Sequence, residues 1–231
     1  MSAQTDAAPS QGLPGRAQAF LIATGVATVA VTVPAIVVGW EVRSVWTFLV
    51  LTAAASVTQL FAFHTIRNQV FHTTPLLLVA GVMLLPPELL VLVPLLSHVP
   101  DWIRKKYAWY IQTFNILNFT LAVMAAWLAH HYAEVALRGH GGAWAAAAGA
   151  AAAVFVIVNN LGFAVVIHLA RGHSMREILN PQTLSADAAL ACLGIALADF
   201  WRADPWLVPF ALAPIFLLHA ALHLPELSEE A

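Results

Sequence analysis

Several side-chain amides lie inside long apolar runs of the sequence, where a polar group must either find a partner or face a cavity. They are Gln112, Asn115 and Asn118 in one run and Asn159 and Asn160 in the next. At about 1.5 Å per helical residue, Asn118 and Asn160 both lie roughly 14 Å from the same end of the predicted helices, so they could touch. We expect these amides either to bond one helix to another or to form the polar wall of a small-molecule site, with Gly162 leaving room for the ligand.

Ionisable and metal-binding side chains are few inside these runs. Glu88 follows a Pro-Pro pair and suits a helix N-terminus, but inside a membrane it would need a cation or a partner, so it joins the candidate ligand-binding residues. Asp187 is expected to cap or complement the first turn of a helix. His219 and His223 are spaced i, i+4 and are weak metal candidates. Since the chain has one cysteine and no HExxH pattern, no metal or other cofactor is expected.

The composition is typical of an integral membrane protein. Hydrophobic residues make up 61% of the chain and charged residues 10%, against about a quarter charged in soluble domains, and the mean hydropathy is +0.79. Phosphate-binding loops, nucleophile elbows and nucleic-acid-type basic domains are absent from the sequence. The sequence therefore predicts an all-α, polytopic membrane helical bundle that is not an enzyme and that binds the lipid bilayer rather than nucleic acid.

Eight hydrophobic segments are predicted, as six full spans and one short helical hairpin. The spans are residues 17–38, 45–63, 109–131, 143–169, 184–200 and 206–222, and the hairpin arms are residues 70–85 and 88–103. Pro86 and Pro87 join the two arms, which either cross the membrane or re-enter from one side. Pro94 is expected to kink the second arm, and Pro100 with Asp101 to end it.

The distribution of Lys and Arg predicts the orientation of the bundle. If both termini are cytoplasmic, seven basic residues lie on the cytoplasmic side of the membrane and three lie outside. The seven are Arg16, Arg67, Arg104, Lys105, Lys106, Arg171 and Arg176. We therefore expect the protein to lie in the inner (plasma) membrane of a cell, with both termini in the cytoplasm. The chain is expected to consist of a disordered cytoplasmic tail over residues 1–16, one transmembrane domain over 17–223 and a cytoplasmic exit linker over 224–231. Trp102, Trp109 and the Arg104–Lys106 cluster should lie at the membrane interface.

Small residues recur every four positions in two of the predicted spans. They are Ala19, Ala23 and Ala27 in the first span, and Ala145, Gly149 and Ala153 in the alanine-rich span. This spacing lets helix backbones approach closely, so each set predicts a packing face inside the bundle or an interface with a second copy or a partner.

The block "PLLLVAGVMLLPPELLVLVPLLSHVPDWIRKKYAWYIQTFNILNFTLAVMAAW", residues 75–127, resembles the N-terminal multi-span (MASE-like) sensor regions of bacterial GGDEF and HD-GYP cyclic-di-GMP signalling proteins. The ending "HLPELSEEA" resembles the exit from such a region into its output domain. The chain itself contains neither a GGDEF nor an HD-GYP sequence. The resemblance implies a sensory input module, expected as a homodimer, which binds a small ligand or senses membrane state and signals through its last helix.

A second family offers an alternative interpretation. A compact six-span module with small residues along its first helix also resembles the substrate-binding component of energy-coupling-factor transporters for vitamins or metals. In that family, Ala19, Ala23 and Ala27 would contact a transmembrane coupling subunit. A structural membrane scaffold is the third possibility.

Overall fold

The computed structural model describes residues 13–39, 45–60, 73–106 and 108–207, together with the backbone of residues 63–64 and 70–71. The helices are α1 Gly15–Gly39, α2 Val45–Leu60, α3 Thr74–Leu84, α4 Pro87–Leu90, α5 Leu92–Lys105, α6 Trp109–Ala136, α7 Ala143–Arg171, α8 Met175–Ile178 and α9 Pro181–Ala203. A 3-10 turn, Pro205–Leu207, follows α9. The predicted all-helical class is confirmed for the described residues, with one small exception: β1 Phe63–His64 pairs antiparallel with β2 Val70–Phe71. Nearly all of the predicted tail, the last span and the exit linker lie outside the described residues.

Four helices, α1, α6, α7 and α9, are long and apolar enough to cross a membrane. On α1, a stripe of large apolar side chains is 54–77% exposed; it consists of Ile22, Val26, Val29, Val33 and Val37. Such a stripe would be costly in water but is suited to lipid. The described chain thus has the features of a membrane protein, whereas the count of six spans and the crossing of the hairpin stay predictions.

The antiparallel pair of α6 and α7 forms the centre of the bundle. Helix α1 packs on α6, α9 packs on both α7 and α3, and α2 packs on α5 and α3. The core lies where α3, α6 and α7 meet, around Leu78, Val123, Met124 and Phe155, all of which are almost fully buried. Every other long helix therefore takes its position from α6, α7 or α3.

The internal packing face of α7 differs from the one predicted. Ala145, Gly149 and Ala153 are exposed, and the buried small residues are Ala147, Ala148, Ala151 and Ala152. Because residues 145–153 are all alanine or glycine, two adjacent faces of this helix allow equally close packing. The face that continues into the buried ring of Phe155 is the internal one.

Helix α1 shows the same shift of face. Ala19 and Ala23 are exposed and Ala27 is half-buried, so these residues do not form the contact with α6. That contact uses Ala17, Leu21, Thr24 and Thr28. Thr28 donates a hydrogen bond across the interface to the carbonyl oxygen of Leu117, at 3.2 Å. The hydroxyls of Thr24 and Thr28 also bond carbonyl oxygens one turn back in α1, those of Phe20 and Thr24, so both polar groups are satisfied in the interface.

The predicted hairpin corresponds to α3, α4 and α5, and one of its details was wrong. Helix α5 does not end at Pro100 and Asp101 but continues to Lys105, and the left-handed backbone of Lys106 (φ 49°) caps it. Pro94 lies in the first turn of α5, and the helical run is interrupted three residues before it, at Val91 between α4 and α5. The two arms pack mainly on α2, α6 and α9 rather than on each other.

The contact of α9 with α3 generates a stability prediction. A methyl group on Gly194 would lie 2.5 Å from the carbonyl oxygen of Leu76 and 2.9 Å from Cβ of Val79, so Gly194→Ala must push the two helices apart. We expect a loss of about 1–3 kcal/mol, measured as the midpoint of thermal unfolding in a mild detergent. Gly149→Ala is the control, because Gly149 is a helical glycine with open space around it. Equal midpoints for the two variants would contradict the close approach of α3 and α9.

Candidate functional site

A cavity of about 330 Å³ opens between the N-terminal parts of α1 and α6 and the C-terminal part of α7. This volume lies in the usual range of about 300–1,000 Å³ for small-molecule sites. The lining residues are Leu13, Pro14, Ala17, Leu21, Tyr110, Ile111, Phe114, Asn115, Phe163, Val166, Ile167, Ala170 and Arg171. Phe163 and Ile111 are 48% and 38% exposed, so the cavity is accessible from the outside of the bundle.

Three polar side chains contribute to this largely apolar lining. Tyr110 lies in the first turn of α6 and Asn115 lies one and a half turns further in. Arg171 is the last residue of α7, which ends because Gly172 adopts φ +75° and donates its N–H to the carbonyl oxygen of His168. The cavity therefore combines one amide, one phenol and one guanidinium group, with the guanidinium at the end of the helix.

The cavity lies at the end of the bundle that carries most of the basic residues, which we call the basic end. The described residues at the basic end are Arg16, Arg104, Lys105, Lys106, Arg171 and Arg176, whereas Arg138 and Arg202 lie at the opposite end. The C-terminal half of α5 lies at this end, since Gln112 near the start of α6 donates to the carbonyl oxygen of His98 on α5. Arg104 also donates to the carbonyl oxygen of Leu60, at the end of α2, at 3.3 Å. The separation of basic residues that the sequence predicts along the chain is thus present in the folded bundle.

Asn118, a predicted ligand residue, bonds α6 to α7. Its Nδ2 donates to Oδ1 of Asn159 at 2.9 Å and to the carbonyl oxygen of Asn159 at 3.2 Å. The space beside Gly162 is filled by the Asn118 side chain and is not open for a ligand. The interhelical hydrogen bond, one of the two predicted alternatives, is therefore what this amide forms.

Asn160 faces a different helix, so the expected contact between Asn118 and Asn160 was wrong. Its Nδ2 donates to Oδ2 of Asp187 on α9 at 2.8 Å and to the carbonyl oxygen of Val156 at 3.0 Å. Asp187 is not in the first turn of α9, where the cap is Asn180, whose Oδ1 accepts the N–H of Thr183. Successive residues of a helix point about 100° apart, so adjacent asparagines reach two different neighbours.

Gln112 belongs to a second polar group, between α2, α5 and α6. Its Nε2 donates to the carbonyl oxygen of His98 at 2.9 Å, and Gln59 on α2 donates to Nε2 of His98 at 3.2 Å. The other ring nitrogen of His98 therefore carries the proton and donates to the carbonyl oxygen of Pro94 at 2.8 Å. Gln59, His98 and Gln112 are each at most 4% exposed. These bonds hold α5 against α2 and α6.

Glu88 lies at the opposite end of the bundle from the cavity. It is in the first turn of α4, and the neighbouring Pro87 lies beside Gly39 at the end of α1 and beside Trp127 of α6. Trp127 is 12 residues after Asn115 on the same helix, which corresponds to about 18 Å. Glu88 and Asn115 therefore do not belong to one site.

The residues predicted for the membrane interface lie together at the basic end. Trp102 and Trp109 are 46% and 66% exposed, and Lys105 forms an ion pair of 2.8 Å with Asp101. Within the described residues, no group of three His, Cys, Asp or Glu side chains could hold a metal ion. The weak metal candidates His219 and His223 lie outside the part of the chain that the structure describes.

No family model, curated protein or solved structure matches the chain. The assignment of a site therefore depends on geometry alone. Of the predicted ligand residues, only Asn115 lines the cavity. Sequence reasoning missed Tyr110 and Arg171 as members of the site, although both are polar residues at helix ends that face the same side of the predicted membrane.

The bond between Asn118 and Asn159 leads to a second stability prediction. Asn118→Ala removes both interhelical hydrogen bonds and should lower the free energy of unfolding by about 0.6–2 kcal/mol. Asn115→Ala on the same helix is the control; it removes an amide from the cavity wall and should change stability by less than about 0.5 kcal/mol. Unfolding of both variants in mild detergent measures the difference. A larger effect at Asn115 than at Asn118 would contradict the assigned roles.

Proposed function

We propose that this protein is a membrane-embedded sensory input module whose ligand occupies the cavity between α1, α6 and α7. The observation that carries the proposal is the cavity itself, which is accessible, has the volume of a small-molecule site and brings Asn115, Tyr110 and Arg171 to one apolar space. A ligand changes the function of such a module only if it prefers one packing of the helices over another. The cavity lies between three helices, so its occupancy can favour one such packing.

A continuous set of contacts leads from the cavity wall toward the last predicted span. Val166, Ile167 and Ala170 of α7 line the cavity, and the same helix is joined to α9 by the bond from Asn160 to Asp187. Helix α9 then leads into the 3-10 turn at residues 205–207 and on to the span predicted for 206–222. In this proposal, movement of α7 is passed through α9 to that last helix and from there to an output.

The resemblance to the sensor regions of GGDEF and HD-GYP proteins suggests what the output would be. The chain contains neither sequence, so in this proposal cyclic-di-GMP chemistry belongs to a separate output domain. The excess of basic residues at the end of the bundle that bears the cavity supports a cytoplasmic location for that end. In this topology α1, α6, α7 and α9 cross the membrane, and α2 and residues 206–222 complete the six spans. The exposed face with Ala145, Gly149 and Ala153 is available to a second copy in a homodimer.

Filling the cavity tests the sensory role. Ala170→Phe should exclude the ligand and alter hydrogen–deuterium exchange in α9 and in residues 206–222, because the packing of α7 no longer responds to occupancy. Native mass spectrometry of the same samples reports whether a co-purifying molecule is lost. Ala146→Phe makes the same substitution at an exposed position near the other end of α7 and should leave both readouts unchanged. Identical exchange in the two variants would refute coupling between the cavity and the last helix.

One observation favours the transporter component as the second candidate. Ala19 and Ala23 are exposed on α1, as a helix face that contacts a coupling subunit would be. On this alternative, Ala23→Trp should abolish co-purification of a transmembrane coupling subunit together with ATPases from native membranes, because the bulky ring prevents close helix contact. Val26→Trp, beside it on the lipid-exposed stripe, is the control. Wild-type protein that brings down no ATPase would remove this candidate.

A further inference from the structure

The polar and the apolar residues that line the cavity lie at different depths. Arg171 and Tyr110 lie at helix ends, whereas the deeper walls are apolar and include Leu21, Phe114 and Phe163. Phe163 precedes Arg171 by eight residues on α7, which corresponds to a depth of about 12 Å. This depth is less than half of a hydrocarbon core of about 30 Å, so an occupant of the cavity lies within one leaflet.

The charge of the cavity is positive. The described residues that line it include Arg171 but no aspartate or glutamate. The nearest acidic residue along the chain, Glu177, accepts the N–H of Ser174 in the cap of α8. The ion pairs within the described residues join Asp101 to Lys105 and His130 to Glu134, and so do not use Arg171. No acidic side chain of the described residues thus pairs with the guanidinium group, which can meet an anionic group at the cavity mouth, and its planar set of donors suits a carboxylate or a phosphate.

We propose that the ligand of this cavity is an anionic amphiphile, whose carboxylate or phosphate binds Arg171 and whose acyl chain lies between α1, α6 and α7. This inference rests on the proposed function, because it names the ligand class for the same site. The Tyr110 hydroxyl is placed to bond the head group, and the Asn115 amide lies deeper beside the chain. Two sources share this chemistry: a free fatty acid and an anionic phospholipid of the leaflet at the basic end.

Photo-crosslinking in nanodiscs of phosphatidylcholine tests the ligand class. The probes are palmitate and phosphatidylglycerol, each with a diazirine in the acyl chain, and the uncharged control is hexadecanol with the same group. We expect the anionic probes to label cavity residues of α6 and α7, such as Phe114 and Phe163, in preference to the lipid-facing stripe of α1. Labelling by palmitate alone would identify a free carboxylate as the ligand, and labelling by phosphatidylglycerol alone would identify a lipid phosphate; both outcomes support the proposal.

Matched variants test the role of the charge. Arg171→Gln should lower labelling of the cavity by about tenfold, as expected for the loss of a charge-assisted hydrogen bond. Arg176→Gln removes the same charge from the same end of the bundle, outside the cavity, and should have no effect. Ala170→Phe blocks the cavity while keeping the charge and should also abolish labelling, and size-exclusion profiles verify that each variant is folded. The proposal is overturned by equal labelling with hexadecanol, by equal effects of the two arginine variants, or by labelling spread evenly over the lipid-facing helices.

Hydrogen–deuterium exchange on the same samples separates this inference from the sensory role. Specific labelling of the cavity without any change of exchange in α9 supports the ligand class and refutes the sensory role. Absence of specific labelling overturns the ligand class, even where Ala170→Phe still alters exchange in α9 and the sensory role stands.

Discussion

The hydrogen bonds from Asn118 to Asn159 and from Asn160 to Asp187 tie α6, α7 and α9 together at one depth of the bundle. In hydrocarbon, burial of apolar surface gives helices little reason to associate, so polar bonds and close backbone contact must hold them. The chain supplies both in the same region. Asn118 fills the space beside Gly162, and the alanine face of α7 continues toward the other end of the bundle.

The cavity lies next to the contact that the Asn118–Asn159 bond makes between α6 and α7. Phe114 and Asn115 on α6 and Phe163 on α7 line the cavity, and each lies within four residues of Asn118, Asn159 or Gly162. Between the amide bonds and the basic end, most of the residues that line the cavity have large rings or branched side chains. Of the asparagines predicted as pocket walls, Asn118 and Asn159 thus join α6 to α7 and only Asn115 lines the cavity, while the arginine at the end of α7 marks its mouth.

One helix takes part in both the cavity and its connection to the rest of the bundle. Helix α7 forms a wall of the cavity at its C-terminal end and bonds α9 through Asn160 near its middle. A second polar group, Gln59, His98 and Gln112, fastens α5 to α2 and α6 and lies outside the cavity lining. These two groups bond the helices of the framework to one another, whereas Asn115, Tyr110 and Arg171 line the cavity.

The sequence by itself determined the helical class, the apolar helices typical of a membrane protein and the approximate bounds of most described helices, because hydrophobic length and helical rise depend only on residue order. It also indicated the end of the bundle at which the described basic residues gather. It did not determine which way each helix faces. Gln112, Asn115 and Asn118 lie within two turns, yet they point to α5, to the cavity and to α7. The alanine tract of α7 offered two equivalent packing faces, and only contact with α6 selected one. Rotation about a helix axis is decided by packing against neighbours, so only the tertiary structure could separate the residues that hold the bundle from those that line its cavity.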